Sequence, residues 1–304
     1  MHAVILKYFV EVARCGSIRK AAQTLFVASS AINRQIRKLE EELGTELFDR
    51  LPSGMRLNAA GERLLQHVRS TLHDFHLTRT ELDALKGERK GHITVASMDS
   101  LFIEFLPSAV EEFSNAYPAV TYELTAMSPG EVAEAVISGR CEIGLSFLPR
   151  LPAGLEVVAR AALPIGVVMA PSHPLARKKA IRWADCSAQP FLRSSGPSPI
   201  NGALVPEFAR FWDAATPHIT CNSTPLLKRL IIAGKGIAFF SQIAFIDELA
   251  RGELVWRPLA MPAINAMQAG IFVARQRPLS HVTQEFVERI SRRLKQMEIT
   301  AARR

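Results

Sequence analysis

Six polar residues recur at helical spacing near the N-terminus: Ser29, Ser30, Asn33, Arg34, Arg37 and Lys38. Short hydroxyls lead, an amide and a guanidinium follow, and two further cations close the series. This is not the layout of a nucleophile with its base. It is a layout for a polyanion: an Asn amide pairs bidentately with adenine, an Arg fork does so with guanine, and serine hydroxyls at an open helix N-terminus suit phosphate or one base edge. The alternative is the solvated face of an ordinary three-helix bundle. Charge leans toward nucleic acid. The chain carries 37 Lys and Arg against 29 Asp and Glu, a net +8, and residues 1 to 39 hold seven cations (Lys7, Arg14, Arg19, Lys20, Arg34, Arg37, Lys38) against the single acid Glu11, so +6 of the total lies there.

Other chemistry finds little footing. The 304 residues contain no G-x-S-x-G, H-E-x-x-H, Walker loop or Rossmann glycine triplet, and Gly234-Lys235-Gly236 is too short for a phosphate loop and reads as a tight turn before a strand. His73 and His76 share a helical face without a third ligand, and Cys15, Cys141, Cys186 and Cys221 lie far apart with no C-x-x-C spacing, so neither a metal site nor a redox pair is expected. No cofactor is implied. At 48% hydrophobic and 22% charged the composition is that of a globular protein with room for two domains, which excludes collagen-like and disordered classes. The first residues lack a basic n-region, and no run approaches the ~20 apolar residues of a membrane helix. A soluble, cytoplasmic protein with no membrane partner is the expectation.

The elements that would position the polar face follow from apolar spacing and caps. A first helix spans about Val4 to Ala13, with Leu6, Phe9, Val10 and Ala13 on one stripe and Gly16 at its end; Ser17 caps a second, Ile18 to Leu25, whose Ala21 and Ala22 allow close approach. A third begins near Ser29 and buries Ile32, Ile36, Leu39 and Leu43 before stopping at Gly44. Helix, tight turn, helix with a polar and basic second element is the requirement of a helix-turn-helix, whose recognition helix enters the major groove. Residues 49 to 57 read as a small hairpin, or wing, presenting Arg50 and Arg56. A long helix from about Ala59 to Lys86 carries Leu64, Leu65, Val68, Leu72, Phe75, Leu82 and Leu85, a stripe too long for so small a domain to bury. Pairing with a second copy is expected, with packing on the chain's own C-terminal domain as the alternative.

Residues 86 to 91 form a polar, glycine-punctuated linker, and beyond it strands and helices alternate. His92 to Ser97, Val120 to Ala126 and Glu142 to Phe147 read as strands, with helices Leu106 to Tyr117 and Gly130 to Ser138 between them, which implies a parallel sheet. A second unit is read from Ile165 to Ala170, Phe191 to Ser194, Glu207 to Ala214, Leu226 to Ala233 and Ile237 to Phe240. A strand near Ala269 to Ala274 and a helix from His281 to about Met297 end the chain.

Phe9, Val12-Ala13, Gly16-Ser17, Ala21-Ala22, Leu25, Ala31-Ile32, Gln35-Ile36, Leu39-Glu40, Leu43-Gly44, Leu47-Phe48, Arg50, Leu57 and Ala60-Gly61 resemble the winged helix-turn-helix of LysR-type transcriptional regulators. Leu106-Pro107, Phe113, Tyr117-Pro118, Ser138-Gly139, Glu142-Ile143, His173-Pro174-Leu175, Gly234 to Ile237 and Gly252 to Leu254 extend the similarity over essentially the whole chain. The resemblance implies an N-terminal all-α winged helix-turn-helix with a long linker helix, followed by a C-terminal α/β effector domain of two Rossmann-like subdomains related in architecture to periplasmic binding proteins. The corresponding division is 1–58 for the DNA-binding domain, 59–90 for the linker helix and hinge, and 91–304 for the effector domain, with subdomain I at 91–161 and 267–304 and subdomain II at 162–266. It implies double-stranded promoter DNA, a homodimer or homotetramer, RNA polymerase and a small-molecule effector, an organic acid or amino acid, as partners. Activation or repression is left open. A solute-binding module whose N-terminal part serves only assembly is the rival reading; an enzyme has least support.

The chain departs from the family pattern at Ala28-Ser29-Ser30-Ala31, where Ser-Gln-Pro-Ala is frequent, at Asn33, where Ser or Thr is usual, and at Asn58, a frequent Thr; all three are expected on the DNA-facing side. The DNA-facing set is Ser17, Arg19, Lys20, Ser29, Ser30, Asn33, Arg34, Arg37, Lys38, Arg50 and Arg56, with Asn33 and Arg34 reading bases and the other cations setting position. Ligands of open parallel sheets bind beyond strand C-terminal ends. That points to Ser97, Asp99, Ser100, Ser128, Pro129, Ser146, Phe147, Ser194, Ser195 and Thr224, with Phe147 as an apolar wall. Ser100 at a helix start favours a carboxylate, whereas Asp99 beside it can cap the helix, repel an anion or greet an amine.

Overall fold

The computed structural model describes residues 3–52, 54–85, 90–147, 151–195, 212 and 216–302. The chain divides into two compact units, Met1–Leu82 and Asp83–Arg304.

In the first unit, α1 (Ala3–Cys15), α2 (Ile18–Leu25) and α3 (Ser29–Leu43) are followed by β1 (Phe48–Leu51), β2 (Gly54–Leu57) and α4 (Ala59–Leu85). Gly16 follows α1 at φ +61° and Gly44 ends α3 at φ +66°, left-handed positions that favour glycine. Ser17 caps α2, its hydroxyl accepting the Lys20 N–H at 3.4 Å. The core joins Phe9 and Val12 of α1, Ala21 and Ala22 of α2, Ile32, Ile36 and Leu39 of α3, and Phe48 of β1. Phe9 and Phe48 meet edge-on at 5.5 Å between ring centroids. Each large side chain so buried contributes about 1.5–3 kcal/mol, which is how a three-helix unit offsets its chain entropy. Leu43, expected on this face, is instead 48% exposed. It lies in the last turn of α3, beyond the reach of α1 and α2. β1 and β2 pair antiparallel from Phe48↔Leu57 to Leu51↔Gly54, and Met55 N–H donates to the Gly16 carbonyl at 2.8 Å, fastening the wing to the turn between α1 and α2.

The second unit begins with β3 (Gly91–Ser97), α5 (Phe105–Ala116), β4 (Val120–Ala126), α6 (Pro129–Ile137), β5 (Ile143–Phe147) and β6 (Leu155–Ala162). It continues with β7 (Ile165–Met169), β8 (Leu192–Ser194), β9 (Ile219–Cys221), α7 (Thr224–Ile232), β10 (Ala238–Ser241), α8 (Ile246–Ala250) and β11 (Val255–Pro258), and ends with β12 (Gln268–Ala274) and α9 (His281–Ala302). One sheet has the order β4-β3-β5-β12-β6, a smaller one β10-β7-β11, and β8 pairs β9. β3 runs parallel to β4 and β5, as their alternation with helices requires. β12 is antiparallel to both β5 and β6. The chain thus leaves the first sheet after Ala162 and returns to it at Gln268, so two connections join the sheets. The helix expected over 207–214 lies outside the described residues except for Trp212, a buried helical residue.

Candidate nucleic-acid interface and ligand cleft

On the first unit, α3 begins without a side-chain cap: Ala28 occupies the capping position and has no hydroxyl to offer. The first N–H groups of α3 therefore remain open beside the exposed hydroxyls of Ser29 and Ser30, a local positive pole suited to a phosphate. Arg34, Arg37 and Lys38 project from the same helix into solvent, while Ile32, Ile36 and Leu39 face the core. Arg19 and Lys20 are exposed at the start of α2, one turn from the half-buried Ser17. Among the described residues Arg19, Lys20, Arg34 and Arg37 have no ion pair. Lys38 lies 3.8 Å from Glu42, and the wing arginines are partly neutralised, Arg50 at 3.9 Å from Glu40 and Arg56 at 3.4 Å from Asp49. The Lys38–Glu42 and Arg56–Asp49 pairs are exposed and weak, and a phosphate can displace them, whereas Glu40 is largely buried and also accepts the Leu47 N–H at 2.9 Å.

Two expectations change here. Asn33 is half-buried and its carbonyl oxygen is enclosed without a hydrogen-bond partner, so its amide edge is not presented to solvent as a bidentate pair with adenine requires. Base reading by Asn33 needs a rotation of the side chain. Asn58 is not a surface contact either. Its Oδ1 accepts the Gly61 N–H at 2.9 Å and its Nδ2 donates to the Glu46 carbonyl at 2.8 Å, so it caps α4 and ties it to the segment before β1.

The second unit holds a cavity of about 380 Å³ beyond the C-terminal ends of β3, β4 and β5, closed on its other side by β7, β8, β10 and the start of α7. Asp99, Ser100, Ser128, Pro129, Phe147, Ser194 and Thr224 line it as expected, and so do Met98, Met127, Glu131, Ile165, Leu192, Trp212, Asn222, Phe239, Phe240 and Ser241. Ser97, Ser146 and Ser195 do not. Side chains alternate along a strand, so Phe147 faces the cavity while its neighbour Ser146, 1% exposed, points to the opposite face of the sheet beneath α6. Ser97 is fully buried and donates to the Met98 carbonyl at 3.3 Å. Ser195 is exposed beyond β8. Phe239 and Phe240, successive residues of β10, join the lining through tertiary placement that the strand pattern of the sequence does not reveal.

Hydrogen bonding in the cavity is already directed. Thr224 Oγ1 donates to Asp99 Oδ2, a contact between residues 125 apart in sequence that spans the cleft. Ser128 gives Glu131 both its N–H, at 2.9 Å, and its hydroxyl, at 2.6 Å, and these two bonds hold the Glu131 carboxyl below the usual carboxylate range. Ser241 is 3% exposed and its hydroxyl has no partner among the described residues. Among the described lining residues the charged side chains are Asp99 and Glu131, both acidic.

No group of three or more His, Cys, Asp or Glu among the described residues is placed to hold a metal, and no described helix is long and apolar enough to cross a membrane. The four cysteines form no disulfide, and burial pushes the Cys186 thiol up to about 12.

A winged helix-turn-helix with a cationic recognition helix, joined in one chain to an α/β unit with a small-molecule cleft, defines a ligand-responsive DNA-binding regulator. Comparison with known proteins agrees. Residues 5–62 match the bacterial regulatory helix-turn-helix protein, lysR family, and residues 86–295 match the LysR substrate binding domain. The chain belongs to the LysR family of transcriptional regulators. A probable nitrogen assimilation transcriptional activator of Synechococcus elongatus is 28% identical over 263 residues, 86% of this chain and 85% of its own length. The HTH-type transcriptional regulator AlsR of Bacillus subtilis is 27% identical over 268 residues, 86% of each chain. Among solved structures, a full-length OxyR variant from Pseudomonas aeruginosa has a TM-score of 0.68 at 19% identity, covering 95% of this chain and 94% of its own. CbnR, a LysR family transcriptional regulator, has a TM-score of 0.60 at 22% identity over 97% and 100%. These two share the fold.

Proposed function

We propose that this chain binds promoter DNA through α2, α3 and the wing and adjusts that binding when a small molecule occupies the cleft of its second unit. The supporting observation is the uncapped, cation-bearing start of α3: Ser29 and Ser30 with open helix N–H groups, then Arg34, Arg37 and Lys38 free of the core. Arg34 reads a base edge. Ser17, Ser29 and Ser30 meet phosphate, while Arg19, Lys20, Arg37, Lys38, Arg50 and Arg56 set position and salt dependence; Asn33 joins the readout only after its amide turns outward.

The working division is residues 1–58 for DNA, 59–90 for pairing and hinge, and 91–304 for the effector, the last with subdomain I at 91–161 and 267–304 and subdomain II at 162–266. One recognition helix reads only a few base pairs, so α4 pairs two copies, and the assembly, a dimer or tetramer, spans two-fold related half-sites and contacts RNA polymerase. An effector that prefers one arrangement of the subdomains over another shifts that assembly, with a coupling of about 1–3 kcal/mol.

Selection of genomic DNA fragments by the purified full chain tests this reading. Recovery of a recurring sequence with two-fold related halves is expected; recovery in proportion to fragment length and charge alone contradicts it.

A further inference from the structure

The turn that joins α2 to α3 holds a side chain that the fold gives no reason to keep. Phe26 follows the last residue of α2 at φ +54°, the one non-glycine in the left-handed region among the described residues. Its N–H donates to the Gln23 carbonyl at 3.4 Å and the Val27 N–H donates to the Ala22 carbonyl at 3.1 Å, a helix closure that glycine ordinarily provides. A side chain in that conformation is strained, a bulky one most of all. Packing gives nothing in return, because Phe26 is 95% exposed. Neither the backbone nor the core selects phenylalanine at this position, and backbone conformations held against their preference cluster at functional sites.

We propose that Phe26 is a sequence-determining contact of the DNA interface, its ring packing against the 5-methyl group of a thymine in the major groove. This deepens the proposed function and rests on α3 being the recognition helix.

The surroundings of Phe26 select the occupant. From residue 12 to residue 39, through α2, the turn and α3, the chain has six Lys and Arg and no acid. Gln23, Thr24, Ala28, Ser29 and Ser30 on either side of Phe26 are exposed with it, so the ring belongs to the same surface as the open N-terminus of α3. That surface attracts a polyanion. Ser29 is three residues on, so the two Cα atoms are at most about 11 Å apart. The major groove is about 12 Å wide, and with the start of α3 inside it the ring is within reach of base edges. A phenyl ring has no hydrogen bond to give, and the apolar feature of the groove is the thymine methyl.

Binding titrations of the full chain on the operator recovered by genomic selection test this, with each thymine replaced in turn by deoxyuridine, which removes one methyl and leaves every hydrogen-bonding edge in place. At one or two thymines in each half-site, the native chain is expected to lose about threefold to tenfold in affinity with the methyl. Phe26→Gly should lose a similar or larger factor on the intact operator and become indifferent to those same replacements. It should unfold at an unchanged or higher temperature, since glycine suits the turn. Phe26→Leu, which keeps an apolar side chain, should keep part of the methyl dependence. Operator affinity of Phe26→Gly equal to that of the native chain would overturn the inference, and so would a loss that leaves the response to every deoxyuridine as it was. In either case a continued loss with Arg34→Ala keeps α3 as the recognition helix. Failure of the native chain to prefer the operator over a scrambled fragment would instead overturn the proposed function.

Discussion

At the scale of single residues, the clearest consequence concerns Arg34. It is exposed, unpaired among the described residues and carried on a helix whose other face is locked into the core, so its guanidinium can reach a base edge without disturbing the fold. Arg34→Ala should therefore lose about 1–3 kcal/mol on a specific site with little change in thermal stability, whereas Lys38→Ala should weaken all sequences alike and flatten the salt dependence; filter-binding titrations over a salt series separate the two. A second residue matters for stability. Glu142 is enclosed between β3, β5 and α9, accepting the Thr94 N–H at 3.2 Å and a bond from the Thr283 hydroxyl at 3.5 Å, and burial raises its carboxyl from 4.5 to about 7. An acid whose folded value lies above its unfolded one binds more protons folded than unfolded between those values, so stability falls as pH rises from about 4.5 to about 7 and stays reduced above it. The fall amounts to ~3 kcal/mol at most. Glu142→Gln should gain stability relative to the native chain as pH rises through 7 and lose that gain near pH 5; denaturant unfolding at both ends of that range measures it. An equal difference at both pH values would contradict the assignment.

At the scale of elements, helix starts and stops were legible because single residues set them: Gly16 and Gly44 are left-handed where α1 and α3 end, and Ser17 caps α2. Asn58 was legible as a departure from the family pattern but not as a cap, since its partners, Gly61 three residues on and Glu46 twelve back, meet only once the wing has folded between them. Removing that cap by Asn58→Ala should cost about 1 kcal/mol. Gly61 is more constrained. A Cβ there would come within 2.1 Å of the Leu47 carbonyl oxygen, a backbone atom that cannot move aside, so Gly61→Ala should destabilise the first unit by about 1–3 kcal/mol or prevent its folding. Thermal unfolding of both variants, followed by circular dichroism, checks the order. In the second unit β3, β4 and β5 announced themselves by their alternation with helices, β4 although it is an edge strand of alternating burial, whereas β6 and β11 have no such setting. β6 alternates buried and exposed residues along Leu155–Ala162 at a sheet edge, and β11 is partly buried throughout, so neither forms the continuous apolar run of a central strand.

At the scale of the whole molecule, the ends of the first three strands located the cleft from sequence, because ligands of parallel sheets gather there. The far wall, with Phe239, Phe240 and Ser241, was not legible, since which strands of the second sheet face the first is a matter of tertiary placement. The same limit explains Ser97 and Ser146: the right strand ends, but side chains on the wrong side of the sheet or buried within it. Pairing through α4 is the expectation at this scale, since Phe75 and Leu82 are 58% and 53% exposed along it. Light scattering at micromolar concentration should give a mass of two or four chains, and a monomer would contradict pairing through this helix. The charge distribution completes the picture: +6 of the net +8 falls in the first 39 residues, on the unit that carries α3.

The most direct test of the account is a titration of the full chain with its selected operator and with a scrambled fragment of equal length and composition, at two salt concentrations. The account predicts operator binding at least ~10³-fold tighter than scrambled at physiological salt, with Arg34→Ala reducing that ratio. Equal affinity for the two fragments at both salt concentrations would contradict it.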